Sequence, residues 1–469
     1  MKNKFLLSSL ACISFYTTQA QPSSKLPNII FILADDIGYA DFSCYGAKTI
    51  ATPHIDELAA NGIRFTNAYA PASTSSPSRY ALLTGEYAFR KRVGILPADA
   101  PLTIDPQSNN LPLQLKSSGY TTGIVGKWHL GLGNRNETVD FNKKITAGMR
   151  SVGFDYSYIF PATNDRVPTI FLENDQVVNG DPNDPIKVSY RKKIGNEPTG
   201  KENPDLLTLK YYQGHDGTII NGISRIGWMS GGHKARWNDQ EMGEVLSDQA
   251  VSFIRENKQK PFFLYYATHN AHEPRVPNPK FAGQSKAGIY GDMIEEFDEY
   301  VGRIIETLKK EGIFENTLLI ISSDNAPMIK EGYHDGAEEN IGSHRPCADL
   351  RGAKYSLYEG GTKVPFIVSY PSLVKKPFVQ TQRFSYIDML ATVASITQAK
   401  PYRNSLNDSK DASELFRSPS APVYRDYIIT QNNGGDIAIR KNDWNLKSAT
   451  KLFSVLLASK RPLITELAD

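Results

Sequence analysis

The chain has 469 residues, with 53 lysines and arginines against 50 aspartates and glutamates and a formal charge of +3. That near balance argues against nucleic acid as a partner, and three cysteines are too few for a disulfide framework. The length allows a large core, and no repeat or low-complexity tract divides it.

Lys2 and Lys4 precede an apolar run from Phe5 to Phe15, and Thr18-Gln19-Ala20 offers a small-residue cleavage site. This reads as a secretory signal peptide over residues 1–20. Cleavage would leave a charge of +1, with Cys44 and Cys347 as the remaining cysteines. Ser9-Leu10-Ala11 before Cys12 is a poor lipoprotein box, so the expected location is secreted or periplasmic. No later run reaches the roughly 18 apolar residues of a membrane span, so no integral membrane segment is expected after cleavage.

Asn28-Ile29-Ile30-Phe31-Ile32-Leu33 is a near-continuous apolar run ending in Ala34-Asp35-Asp36, the pattern of a strand buried on both faces. Further along, Ser75-Ser76-Pro77-Ser78-Arg79-Tyr80-Ala81-Leu82-Leu83-Thr84-Gly85 reads as a loop entering a helix at Pro77. Strand-like runs recur at 121–126, 261–267, 317–323 and 365–370, and helical patterns lie at 239–257 and 293–311. Alternation of buried strands with helices predicts an α/β fold, a helix/sheet/helix sandwich with a mostly parallel sheet. The stretch 156–233, rich in Pro, Gly and Asn, has no clear period and is expected to form a binding wall. Past Lys400 the composition shifts to Asn, Ser, Asp and Pro, which predicts a linker into a small antiparallel subdomain. The expected division is residues 1–20 as signal, 21–400 as catalytic domain and 401–469 as C-terminal subdomain.

Chemistry-bearing residues follow the ends of these runs, where open α/β sheets place their sites. Asp35-Asp36 and Asp324-Asn325 are hard oxygen ligands suited to calcium or magnesium. Gly126-Lys127-Trp128-His129 places a cation and an imidazole two residues apart, so in an extended segment both would point one way. His272 lies in Asn270-Ala271-His272-Glu273-Pro274, and Lys354 in Leu350-Arg351-Gly352-Ala353-Lys354-Tyr355.

The run from Ser75 to Gly85 fits at every position the signature of the type I, formylglycine-dependent sulfatases in its Ser form, which this chain resembles. With Asp35-Asp36, Gly126 to Gly131, Asp324-Asn325 and Glu359-Gly360-Gly361-Thr362-Lys363-Val364-Pro365, five separated motifs between about 28 and 370 occur in that family's order. The resemblance implies the fold of the alkaline phosphatase superfamily. It also implies calcium held by Asp35, Asp36, Ser75, Asp324 and Asn325, and a formylglycine derived from Ser75 by a partner maturase. Two departures stand out: Asn325-Ala326-Pro327 replaces the commoner Asn-Gly, and Lys363 stands where Arg often precedes Val-Pro.

The implied reaction is hydrolysis of sulfate esters of carbohydrate, in which one hydroxyl of a formylglycine hydrate attacks sulfur and the second expels sulfate. The resemblance gives Arg79 the hydrate to hold, Lys127 and Lys354 the charge of the transition state, His129 the role of base, and His272 or Lys354 that of acid. The segments around Pro161 and Asp181 resemble those of exo-acting 6-O-sulfatases on N-acetylgalactosamine or galactose. Asn164, Asp165, Arg166, Lys234 and His344 are the candidate sugar contacts. Two rival readings are a phosphatase or phosphodiesterase of the same superfamily, and an inactive glycan-binding relative. The strand 438–444 also resembles the family's C-terminal strand, but the chain stops at Asp469, so this subdomain reads as shortened.

Overall fold

The computed structural model describes residues 26–402, 408–441 and 444–448. Residues 1–20, expected to be a signal segment, and the residues past 448, on which the expectation of a shortened subdomain rests, lie outside the described residues. A run such as Ile29 to Leu33 offers water no polar face, so it needs cover on both sides. The strand Asn28–Ala34 is accordingly buried throughout, at the centre of a ten-stranded sheet. It pairs in parallel with Thr317–Ser323 on one side and Phe262–Ala267 on the other. Thr121–Lys127 and Tyr156–Phe160 extend the parallel set beyond Phe262–Ala267.

Alternate side chains of the central strand supply two cores. Ile29, Phe31 and Leu33 pack with Tyr80, Leu82 and Leu83 of the helix Ser75–Thr84. Ile30, Ile32 and Ala34 pack with Leu246 of the helix Met242–Asn257 and with Phe297 and Val301 of Gly288–Lys310. Each such fully buried aliphatic side chain stabilises the fold by about 1.5–3 kcal/mol, which is why both faces of this strand are apolar. Among the described residues, no helix is long and apolar enough to cross a membrane.

All five predicted strands form, and four of them are neighbours in the parallel set. The fifth, Phe366–Ser369, runs antiparallel to Thr317–Ser323. The helix expected from 293 starts at Gly288; Gly288 and Gly291 read as breakers in sequence, but Tyr290 between them is fully buried. The stretch from 156 opens with a strand of the main sheet, Tyr156–Phe160, too short to show a period. It continues through short hairpins such as Leu172–Glu173 with Gln176–Val177 and Ile219–Ile220 with Ile223–Ser224. Asn174 and Asp175 turn the first with φ of 49° and 69°, and Asn221 and Gly222 the second with 53° and 76°. The Asn and Gly content is therefore turn chemistry, since these residues tolerate the left-handed region that tight hairpins require.

At the C-terminal end, Tyr427–Gln431, Ile437–Lys441 and Trp444–Ser448 form an antiparallel sheet. It does not stand apart from the body. Arg425 bonds Asp388 at 2.8 and 2.5 Å and the Asp408 carbonyl at 2.7 Å. Gln431 donates from its backbone to the Pro71 carbonyl at 3.0 Å and accepts from the Ser73 amide at 2.9 Å. This small sheet thus braces the segment that leads into Ser75.

Candidate active site

Four adjacent parallel strands deliver their polar residues to one end of the sheet. Asp35 and Asp36 follow Asn28–Ala34, Asp324 and Asn325 follow Thr317–Ser323, Lys127 ends Thr121–Lys127, and the loop to His272 follows Phe262–Ala267. Asp36 adopts φ 61°, which folds the chain back so that its amide donates to Asp324 Oδ1 at 3.1 Å. Gly126 is needed beside Lys127 because an added Cβ would collide with the Ala267 carbonyl oxygen at φ 105°.

The helix carrying Ser75 begins at Ser75 itself, two residues ahead of the predicted entry at Pro77, with Thr74 as N-cap. Pro77 occupies the first turn, where its missing N–H costs nothing. Ser75 Oγ lies 3.3 Å from Asp35 Oδ1, 3.4 Å from Asn325 Oδ1 and 3.1 Å from Lys127 Nζ. One turn on, Arg79 is fully buried and spends its guanidinium on Asp324 Oδ2, at 3.0 Å from Nε and 2.7 Å from Nη2. Its described hydrogen bonds and ion pairs are to Asp324, Asp35 and Tyr265, so it orders the carboxylates.

Burial weakens the central ion pair from both sides. Lys127 Nζ sits 2.7 and 2.6 Å from the Asp35 oxygens. Burial, reinforced by Asp324 and Asp36, pushes the Asp35 carboxyl up to about 8, and burial holds Lys127 below the ordinary lysine range. Burial also opposes the charge of Asp324, but Arg79 and Lys127 overcome it and hold that carboxyl well down. An acid held near neutrality among hard oxygens is short of positive charge. The ligand atoms of Asp35, Asp36 and His272 lie within 4.8 Å of one another. The donor set therefore fits a hard divalent cation.

Lys354 closes the other side. Its Nζ lies 2.7 Å from Asp36 Oδ2, 2.8 Å from Glu331 Oε2 and 3.5 Å from His272 Nε2. His272 Nδ1 faces the Glu273 carbonyl at 2.6 Å; a carbonyl only accepts, so Nδ1 carries the proton and Nε2 presents a lone pair. Burial, with Lys354 and Lys127, drives His272 down to about 3, so it is neutral.

Alternation does not carry His129 to the spot that Lys127 reaches. The strand stops at Lys127, and His129 has φ 52°. Its Nε2 lies 3.1 Å from both the Leu96 carbonyl and Arg166 Nη1, while Nδ1 is buried without a partner. Burial, with the charges of Lys127, Arg166 and Arg79, holds it well below the ordinary histidine range.

Of the candidate sugar contacts, Asn164, Asp165 and Arg166 are bonded to neighbours of the site, and Lys234 and His344 are each held by a carboxylate. Asn164 Nδ2 donates to the His272 and Pro274 carbonyls at 3.3 and 3.2 Å, and Asp165 Oδ2 faces His215 Nε2 at 3.1 Å. Lys234 is largely exposed and pairs with Asp181 at 2.7 Å, and the His344 ring is tucked onto Asp41 at 2.6 Å. Sequence reasoning missed His215 and Glu331. Neither lies in a motif or at a strand end, and no signal in the chain marks them.

The loop bearing His272 is held from below by Glu296, which accepts from Asn270 Nδ2 at 3.2 Å and from Tyr300 at 2.7 Å. Burial pushes the Glu296 carboxyl up to about 7, so the folded protein keeps a proton that the unfolded chain releases above its ordinary value. Stability should therefore fall as pH rises through the window from 4.5 to about 7 and stay level beyond it. Glu296→Gln should flatten that part of the curve in urea unfolding at stepped pH; an unchanged slope would count against the assignment.

The sulfatase family model matches residues 27–399. An N-acetylgalactosamine-6-O-sulfatase of Bacteroides thetaiotaomicron is 48% identical over 423 residues, covering 90% of this chain and 82% of that protein. Steryl-sulfatase of Rattus norvegicus is 30% identical over 457 residues, covering 91% and 76%. A solved Bacteroides thetaiotaomicron structure, described in connection with the metabolism of multiple glycosaminoglycans, superposes with a TM-score of 0.88 at 48% identity over 91% of this chain and 88% of that one.

Proposed function

We propose, from the premise that the chain belongs to the sulfatase family, has its alkaline-phosphatase-like fold and is a sulfuric ester hydrolase, that it removes the 6-O-sulfate of N-acetylgalactosamine in glycans. The sugar and the position rest on the 48% identical relative that carries that activity in its name. The observation that supports the chemistry is the placing of Ser75 Oγ between Lys127 Nζ at 3.1 Å and the oxygens of Asp35 and Asn325. Export to the periplasm or medium rests on residues 1–20, and conversion of Ser75 by a maturase rests on the motif from Ser75 to Gly85.

Asp35, Asp36, Asp324 and Asn325 would hold a calcium ion beside residue 75, where it would draw charge from sulfate oxygens and lower the pKa of a neighbouring hydroxyl. As formylglycine, residue 75 would supply two geminal hydroxyls, one to take the sulfuryl group and one to release it. Lys127 opposes negative charge on the residue 75 oxygen, which it already touches. Arg79 fixes Asp324 and so the floor of the site. His129, kept neutral by burial and its cationic neighbours, is suited to take a proton at Nδ1 when Nε2 donates to the Leu96 carbonyl. Lys354 is the better placed group to protonate the departing alcohol, because His272 spends its only hydrogen on the Glu273 carbonyl. Glu331 and Asp36 hold Lys354 between them.

The test uses protein co-produced with an anaerobic maturase and compares sulfate release from N-acetylgalactosamine 6-sulfate with phosphate release from the 6-phosphate. Release of sulfate in large excess is expected. Equal or preferential release of phosphate would defeat the sulfatase chemistry, and sulfate release only from other sugars would defeat the substrate.

A further inference from the structure

Lys354 lies in a turn and not on a strand, and its position is fixed from two directions. Its own amide donates to the Pro327 carbonyl at 3.2 Å, and the amide of Tyr355 donates to the Ser73 carbonyl at 3.0 Å, two residues ahead of Ser75. Tyr355 has φ 72°, a left-handed conformation that a bulky aromatic residue keeps only where its surroundings hold it there. Neighbouring side chains of an extended chain point to opposite faces, but here residues 354 and 355 reach one carboxylate. Glu331 Oε2 accepts from Lys354 Nζ at 2.8 Å, and Oε1 accepts from the Tyr355 hydroxyl. The ammonium also lies 5.4 Å from the centre of the Tyr355 ring.

Glu331 is itself held on both sides. Gly332 donates its amide to Glu273 Oε1, and its carbonyl accepts from the Tyr212 amide at 2.7 Å. The buried Arg275 donates to the Met328 and Ile329 carbonyls at 3.0 and 3.1 Å. Burial opposes charge on Glu331, but Lys354 overcomes it and holds the carboxyl below its ordinary value. The Glu331 side chain is 20% exposed, against 4% for Lys354 and 2% for Asp36, so it grips the ammonium from the solvent side while Asp36 grips it from the interior. The two carboxylates are not equivalent. Asp36 is one of the ligands proposed for the cation, and an oxygen that holds a divalent ion has less charge to offer an ammonium. Among the described residues, the hydrogen bonds of the Glu331 side chain are to Lys354 and Tyr355, so its hold on the ammonium does not compete with a metal.

We propose that Glu331, braced by the Tyr355 hydroxyl, is a positioning residue that keeps the Lys354 ammonium aimed at the departing sugar oxygen. This rests on the reading of Lys354 as the group that protonates the leaving alcohol. In that step the S–O bond to the sugar breaks as the bond from the residue 75 oxygen to sulfur forms. The electron pair stays on the sugar oxygen, one hydrogen of Lys354 Nζ passes to it, and the amine regains a proton from water.

The experiment compares N-acetylgalactosamine 6-sulfate, whose alcohol needs a proton to leave, with 4-nitrophenyl sulfate, whose phenolate leaves without one. Glu331→Gln should lower kcat on the sugar ester by about 10²-fold, the lower end of what a positioned general acid contributes, with KM and the aryl ester little changed. Tyr355→Phe should shift the ratio of the two kcat values in the same direction by less. In Glu331→Ala, added formate should restore part of the sugar-ester turnover in a saturable way, because the place of the lost carboxylate is open to solvent. Equal losses on both esters with no recovery by formate, or a change confined to KM, overturn the proposal. Lys354→Ala separates it from the reading beneath it. If the Lys354→Ala loss is confined to the sugar ester and the Glu331→Gln loss is not, the positioning role alone falls; if Lys354→Ala lowers both esters equally, the acid and its positioning residue fall together.

Discussion

Replacing Ser75 by alanine should lower sulfate release by at least about 10⁴-fold, the scale on which nucleophile removal acts in enzymes with covalent intermediates. The fold should survive. Alanine is the best helix former, and the substitution removes one hydroxyl whose neighbours, Lys127 and Asp35, remain paired at 2.6 and 2.7 Å. Unchanged circular dichroism together with lost turnover is the expected pair of results. In active protein from a host with the maturase, the peptide spanning residue 75 should weigh two hydrogens less than the encoded sequence. Fully active enzyme that shows only serine at that position would exclude formylglycine.

Asp324→Asn should empty the metal site and abolish turnover, because the substitution removes the charge that both Arg79 and a divalent cation require. In the structure Asp324 accepts from Arg79 Nε and Nη2 and from the Asp36 amide. Removing one partner of a fully buried ion pair costs about 3–5 kcal/mol, so lower thermal stability should accompany the loss. Elemental analysis separates the two effects: metal content should fall from one ion per chain to none in protein that still unfolds cooperatively. A variant that keeps its ion and its activity would refute the ligand assignment. Exhaustive chelation of the native enzyme should reproduce the kinetic loss with Arg79 and Asp324 intact.

Much of this site was legible because its residues lie at the ends of strands that announce themselves. The runs before Asp35 and Asp324 have no polar face, so their burial at the centre of a sheet follows from composition, and the polar residues after them must emerge at the sheet's edge. Ser75 was legible for a different reason, since its motif is local. The position of His129 was misread on physical grounds: alternation predicts its direction only while the backbone stays extended, and the chain leaves the strand after Lys127 with φ 52° at His129. The contact of Arg79 with Asp324, a pairing between residues 245 apart in sequence, was not legible in any local pattern.

The sequence by itself determined the α/β class, the central strands, the family and the identity of the charged groups at the strand ends, because each is a property of a contiguous run. Only the tertiary structure decided which of those charges face each other. Asp35 meets Lys127 across two strands with Phe262–Ala267 between them, Lys354 stands between Asp36 and Glu331, and Gln431 braces the approach to Ser75 from the far end of the chain. Electrostatic strength depends on distance and on exclusion of water, and neither exists for these pairs until the sheet has brought the strand ends together and the helix Ser75–Thr84 has closed over them.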